Sequence, residues 1–296
     1  MTHAPTNGHD DGARRPATVR PARRRTPWPL AVVAALFVVV PFLFWYGTWF
    51  GRALSDKELE AYLADEANPR HEQHALAQLG ERVTAGDAGA HRWYPQVARL
   101  AASRHADVRM TAAWVMGRDG RDEQFRAALL GLLGDSEPIV RRNAALALVP
   151  FNDARGRAEL LAMLRAYDFA APLGGELVSV LPVGSAVRRE TMLARVRTAD
   201  GALAEIRAPL PGTIERIAVA PGAQLQTGQT LLTLAPDEDS VRNALVGLSY
   251  VGTAEDLGAV EVYARGAAGF KEDVKAEAAR TVEAIRRRTG EAGARD

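Results

Sequence analysis

The hydrophobic and polar pattern changes character three times along the 296 residues. Between Thr26 and Gly51 there is no charged residue, and Leu30 to Phe50 is almost wholly apolar. A run of this kind is long enough, at about 1.5 Å per residue, to cross a hydrocarbon core of about 30 Å. It predicts a transmembrane helix over 27–50, with Trp28 at one interface and Trp45, Tyr46 and Trp49 at the other. The rival is a cleaved signal peptide, whose apolar run is about 7–15 residues and ends at small residues. This one ends in FWYGTWFG.

After the apolar run the period becomes helical and the pattern repeats. ADVRMTAAWVMG (106–117), PIVRRNAALALV (138–149) and DSVRNALVGLSY (239–250) align without gaps, and EDVKAEAARTVEAI (272–285) is a looser copy. Each sets Val-Arg or Val-Lys in a first turn, with small or aliphatic residues at helical spacing behind it. Asp107, Glu137, Asp239 and Asp273 stand where acids suit a helix N-terminus. PRHEQHALAQLG (69–80) reads as an earlier, weaker unit. Before most of these helices lies another: YPQVARLAASR (94–104), FRAALLGLLGD (125–135), RAELLAMLRAYD (157–168) and EDLGAVEVYARG (255–266). One interval is abnormal. Leu129 precedes Val140 by 11 residues, whereas the equivalent Leu160 precedes Val241 by 81.

The extra residues carry a third pattern, of short strands and glycine turns. PVGSAVRRETMLARV (182–196) matches APGAQLQTGQTLLTL (220–234) at an offset of 38, with Gly184 on Gly222, Val187 on Leu225 and Leu193 on Leu231. GELVSV (175–180) matches GTIERI (212–217) one residue out of register. The expectation is a duplicated β domain set into the turn of one helical repeat, since exposed turns tolerate insertions.

Val108 precedes Val140 by 32 residues and Val241 precedes Val274 by 33, and repeats at this interval resemble the HEAT-repeat family, in the short form also seen in bilin-lyase-type proteins. The resemblance implies a stacked α-solenoid over 54–169, continued over 237–288. The segment PLPGTIERIAVAPGAQLQTGQTLLTL is similar to the C-terminal half of biotinyl/lipoyl domains, which implies a small all-β barrel-sandwich hybrid over 172–236. In that family a lysine at the hairpin tip between the halves carries the cofactor. Counting back from Gly212 places the tip at Asp200-Gly201, a dipeptide suited to a two-residue type I′ turn. The three lysines, Lys57, Lys271 and Lys275, all lie elsewhere. No bound cofactor is therefore expected. Lysine-less lipoyl-like domains also occur in periplasmic adaptors of efflux and secretion systems, but those usually carry a long helical hairpin at this tip and a β-barrel afterwards. Here helices follow.

The formal charge of +1 hides an asymmetry. Residues 1–25 hold six arginines and two aspartates, and the rest of the chain 31 basic and 34 acidic residues. The basic excess is a tail, predicted to be disordered over 1–26, and gives no face for nucleic acid. It lies before the apolar run, which predicts a cytoplasmic N-terminus and a periplasmic bulk. Residues 289–296 read as a disordered tail. With no cysteine, disulfides, thiolate metal sites and cysteine nucleophiles are excluded.

Candidate chemistry is sparse. His71 and His74, with Glu72, have i, i+3 spacing, whereas a metalloprotease helix needs i, i+4. Ser249 in GLSYVG is not in a nucleophile elbow. PDED (236–239) is read as a helix start rather than a cation site, and Trp93, Tyr94 and Trp114 as core rather than a ligand platform. The expectation is a protein without catalytic or metal-binding residues and without an identified small-molecule substrate. It would be a scaffold on the inner membrane of a bacterial envelope that binds protein partners. The alternative is an accessory adaptor of a transporter or secretion complex.

Overall fold

The computed structural model describes residues 32–33, 35–42 and 53–293, and the chain divides after Ala53 into two units. In the first unit the described residues, within 32–42, are helical and exposed. Among the described residues no helix is long and apolar enough to cross a membrane. The expected tail 1–26 and most of the expected span 27–50 lie outside them.

In the second unit helices come in pairs: α1 (Asp56–Leu63) with α2 (Pro69–Thr84), α3 (Tyr94–Leu100) with α4 (Ala106–Met116), and α5 (Glu123–Leu132) with α6 (Pro138–Leu148). Then come α7 (Arg157–Met163) with α8 (Glu238–Val251), and α9 (Leu257–Ala264) with α10 (Glu272–Gly293). The second helices stack, α2 on α4 on α6 and α8 on α10. Starts are fixed by side chains. Ser55 and Glu58 form a capping box at α1, and Asp122 and Asp237 accept backbone N–H groups at α5 and α8. The aliphatic positions face inward. Val108, Val140, Val241 and Val274 are all fully buried, among leucines such as Leu76, Leu129, Leu160 and Leu245. Each fully buried leucine is worth about 2 kcal/mol.

The arginine of each Val-Arg pair ties one repeat to the next. Arg109 donates from Nε and Nη2 to the two Asp135 carboxylate oxygens (2.6 and 2.8 Å). Burial alone raises the Asp135 carboxyl, but the Arg109 hydrogen bond and the Glu137 backbone N–H outweigh it and hold it below its usual range. Arg242 makes the equivalent reach to Asp273 (3.2 Å). Between them the ladder changes partner. Arg141 meets Glu159 of α7 (3.5 Å), because the next turn is where the chain leaves to form strands.

Those strands are β1 (Tyr167–Ala170), β2 (Gly175–Val180), β3 (Ala186–Val187), β4 (Met192–Arg197), β5 (Leu203–Arg207), β6 (Gly212–Ile217), β7 (Gln224–Leu225) and β8 (Thr230–Ala235). They form two antiparallel sheets, ordered β1-β8-β6-β3 and β5-β4-β2-β7. Exchanging β1–β4 with β5–β8 turns one order into the other, so each half gives strands to both sheets. The equivalence reaches single bonds. Gly184 N–H donates to Ile214 C=O (2.8 Å) as Gly222 N–H does to Leu177 C=O (2.7 Å), and both glycines hold positive φ. The core between the sheets includes Leu177, Val196, Ile206, Ile214, Leu231 and Leu232. The second unit is thus mostly helical with a small antiparallel β region.

Three sequence expectations change. The stretch 157–168 is not one helix, because α7 stops at Met163 and Tyr167–Ala170 pairs with β8. The β region therefore begins before residue 172, with Phe169 inside its core. The tip is not a type I′ turn. Gly201 has φ +83° but Asp200 is not left-handed. Gly201 N–H donates to Thr198 C=O and Thr198 N–H to Ala202 C=O (both 2.9 Å), which makes a three-residue Ala199-Asp200-Gly201 loop with a glycine bulge. Finally, 289–293 is helix rather than tail, since Arg288 binds the carbonyls of Ser249 and Gly252 and secures the last turns of α10 to α8.

Candidate protein-binding groove

A hollow of about 860 Å³ runs across α4, α6 and α8, the second helices of three successive pairs. Trp114 (37% exposed), Val246 (40%) and Tyr250 (61%) stand out of its wall, large apolar groups that a closed core would have covered. The sequence pattern places Trp114 in the core with Trp93 and Tyr94. Those two are buried, but Trp114 lies on the groove side of α4. Its inner edge rests on Gly80 of α2, where a Cβ would come within 2.2 Å of the ring, and the Arg118 guanidinium sits 4.2 Å from the ring centroid. Helices also close up beneath the groove. A Cβ on Gly117 would lie 2.8 Å from the Ala147 methyl, so α4 and α6 approach more closely than larger residues allow.

Asn143, Asn152 and Asn243 supply amides among the apolar groups. Asn143 Nδ2 donates to Ile139 C=O (2.8 Å), which fixes the orientation of its amide. Arg118 is the charged residue of the lining, and no carboxylate lines it. The combination suits a neutral or acidic peptide segment, with apolar side chains against Trp114, Val246 and Tyr250 and main-chain groups at the amides. Sequence periodicity placed these residues on helices, but not on an uncovered face.

The other singled-out residues are scattered. His71 Nδ1 pairs with Asp65 (2.7 Å) and stacks on Tyr62, while His74 Nε2 lies 3.0 Å from Gln78 Nε2. Among the described residues no cluster of three or more His, Asp or Glu is arranged to hold a metal. Ser249 donates to Val246 C=O within α8. In PDED, Asp237 Oδ1 accepts the N–H groups of Asp239 and Ser240 (both 3.1 Å). Asp200 Oδ1 accepts from Ala202 N–H (3.2 Å) and from the Thr198 hydroxyl, and Gly201 faces open space at the loop tip. Glu72, noted in the sequence only as the neighbour of His71, is 1% exposed with neither carboxylate oxygen hydrogen-bonded. Burial first, and then the nearby Glu66 charge, push its carboxyl up.

Residues 94–170 match the family profile of HEAT repeats. No curated protein shows significant similarity to the chain. Among solved structures, the chain is similar to a single-chain, multi-domain long-chain acyl-CoA carboxylase at 22% identity and a TM-score of 0.23. That match covers 34% of this chain and only 9% of the carboxylase, too slight a likeness to carry an argument. The matched range takes in the pairs α3/α4 and α5/α6 together with α7 and β1, and the repeats it resembles are of a class whose stacked helices form extended protein-binding surfaces.

Proposed function

We propose that this protein is a non-enzymatic scaffold that holds a partner protein in the groove across α4, α6 and α8. The observation that carries the reading is the trio Trp114, Val246 and Tyr250, exposed together on one face of a HEAT-repeat array. In this reading residues 27–50 anchor the chain in a bacterial inner membrane, with residues 1–26 cytoplasmic and the repeats outside; the apolar run and its flanking arginines support it. The β region is a lipoyl-like domain kept for its shape. Its two interchanged halves support the likeness, and the Ala199–Gly201 loop leaves no lysine to modify. That short loop also favours a scaffold over an efflux-type adaptor, which would extend the same tip into a long hairpin.

The test is affinity purification of the full-length protein from detergent-solubilised membranes, alongside Val246→Arg and Tyr250→Arg. A partner kept by the wild type, lost by both variants and bound again as a purified protein supports the groove. Retention of that partner by both variants places binding elsewhere. A periplasm-active reporter after Asp296 is expected to be active, and intact mass to show no biotinyl or lipoyl adduct.

A further inference from the structure

Where the chain passes from α7 into β1, a pocket of about 230 Å³ opens between the helices and the strand. Its lining includes Arg141, Arg142, Glu159, Arg165 and Tyr167. Arg142 is 5% exposed, and its Nε has no hydrogen-bond partner. A guanidinium stays charged at any physiological pH and presents five donors, so burying one with a donor unmet is costly. The nearest carboxylate, Glu159, is 3.9 Å from Arg142 Nε, beyond hydrogen-bond reach, and is shared with Arg141 at 3.5 Å. Arg141 is itself held in place, its Nη1 donating to the Asp135 carbonyl (2.7 Å). The other acid of the lining, Asp168, is engaged outside the pocket with the Thr233 hydroxyl (2.7 Å) and Arg216 (3.6 Å).

Two guanidiniums therefore share one carboxylate, a third (Arg165) stands at the exposed rim, and a buried donor is unmet. We infer that this pocket is a binding site for a small oxyanion of the phosphate or sulfate type, with Arg142 as its principal ligand. The volume admits a phosphate group with a short substituent. Bound there, the anion supplies the missing acceptor and the missing negative charge. It would also join α6 and α7 to β1, and so stiffen the junction between the helical array and the β region. A free anion and a phosphomonoester share this chemistry.

The experiment is calorimetric titration of the full-length protein in detergent with inorganic phosphate and sulfate, and with phenyl phosphate to represent a monoester. Melting curves are followed at the same concentrations. Saturable binding to one site is expected, with a melting temperature that rises with phosphate concentration. Arg142→Met should weaken it about ten- to a hundredfold, the effect of losing a charge-assisted hydrogen bond. Because Arg142→Met can fold poorly, two further variants decide. Arg165→Ala changes only an exposed rim residue and should weaken binding severalfold. Glu159→Gln removes the competing carboxylate; it should tighten phosphate binding, and phosphate should restore its stability. Phenyl phosphate binding as tightly as phosphate would identify a monoester site, and weaker binding a site for the free anion. No saturable binding by the wild type, or binding that Arg165→Ala and Glu159→Gln leave unchanged, overturns the proposal.

Discussion

The Tyr263 hydroxyl donates to the Leu164 carbonyl at 2.7 Å, a buried bond between residues 99 positions apart. Leu164 ends the helix from which the chain departs into the strands, and Tyr263 belongs to α9 of the following pair. The bond satisfies a carbonyl that the interrupted helix leaves open, and it holds α7 in the stack whether or not the strands follow.

That arrangement predicts the outcome of removing the β region. Replacing residues 166–236 by a short Gly/Ser linker should leave a cooperatively melting helical protein, because α7 and α8 pack directly on each other and closure costs rise slowly with length. Tyr263→Phe should cost about 1 kcal/mol in both the intact and the shortened chain. A deletion begun at Pro172 should fare worse, since it strands β1 without β8. Loss of helical circular dichroism in the 166–236 deletion would show that the strands are needed to hold the array.

The arginine ladder should be unequal. Arg109 and Asp135 are nearly buried, so Arg109→Ala should destabilise by about 3 kcal/mol in urea unfolding, leaving a carboxylate without its partner. Arg242 and Asp273 are half exposed, and Arg242→Ala should cost less than about 1 kcal/mol. Equal costs would mean that the ladder acts through something other than desolvated charge.

Glu190 occupies the left-handed region (φ +66°), where the other half of the β region has Gly228 (φ +82°). The matching bonds, Glu190 N–H to Ala208 C=O and Gly228 N–H to Ala171 C=O, show that the turn is dictated by the fold. Glu190→Gly should therefore stabilise by up to about 1 kcal/mol, and Gly228→Ala should destabilise. Chemical denaturation of each variant checks both signs.

Glu72 gives a pH signature. Its carboxyl lies above its usual 4.5 in the folded protein. The folded state therefore holds its proton more tightly than the unfolded one, and the stability so gained is present in acid and lost as pH rises through the raised value. Glu72→Leu should stabilise by about 1 kcal/mol near neutral pH, with a smaller gain below pH 4.5. A gain that does not depend on pH would place the effect in packing instead.

The sequence by itself determined the helical repeats, because their signal is local. Val108, Val140 and Val241 recur with an arginine beside them, and periodic aliphatic positions specify both the helix and its buried face. The internal match in the β region was legible for the same reason, as Gly184 and Gly222 must each supply a positive φ. What only the tertiary structure decided lies in pairings between distant residues. RAELLAMLRAYD reads as one helix until β8, 63 positions beyond the start of β1, provides the ladder that converts Tyr167–Ala170 into strand. Trp114 reads as core until α6 and α8 stack beside it and leave its face open. Arg142 and Glu72 look like ordinary polar positions on a helix, and only the packing of the neighbouring elements deprives them of water. Periodicity is written along the chain, whereas exposure and electrostatic compensation depend on which distant surfaces meet.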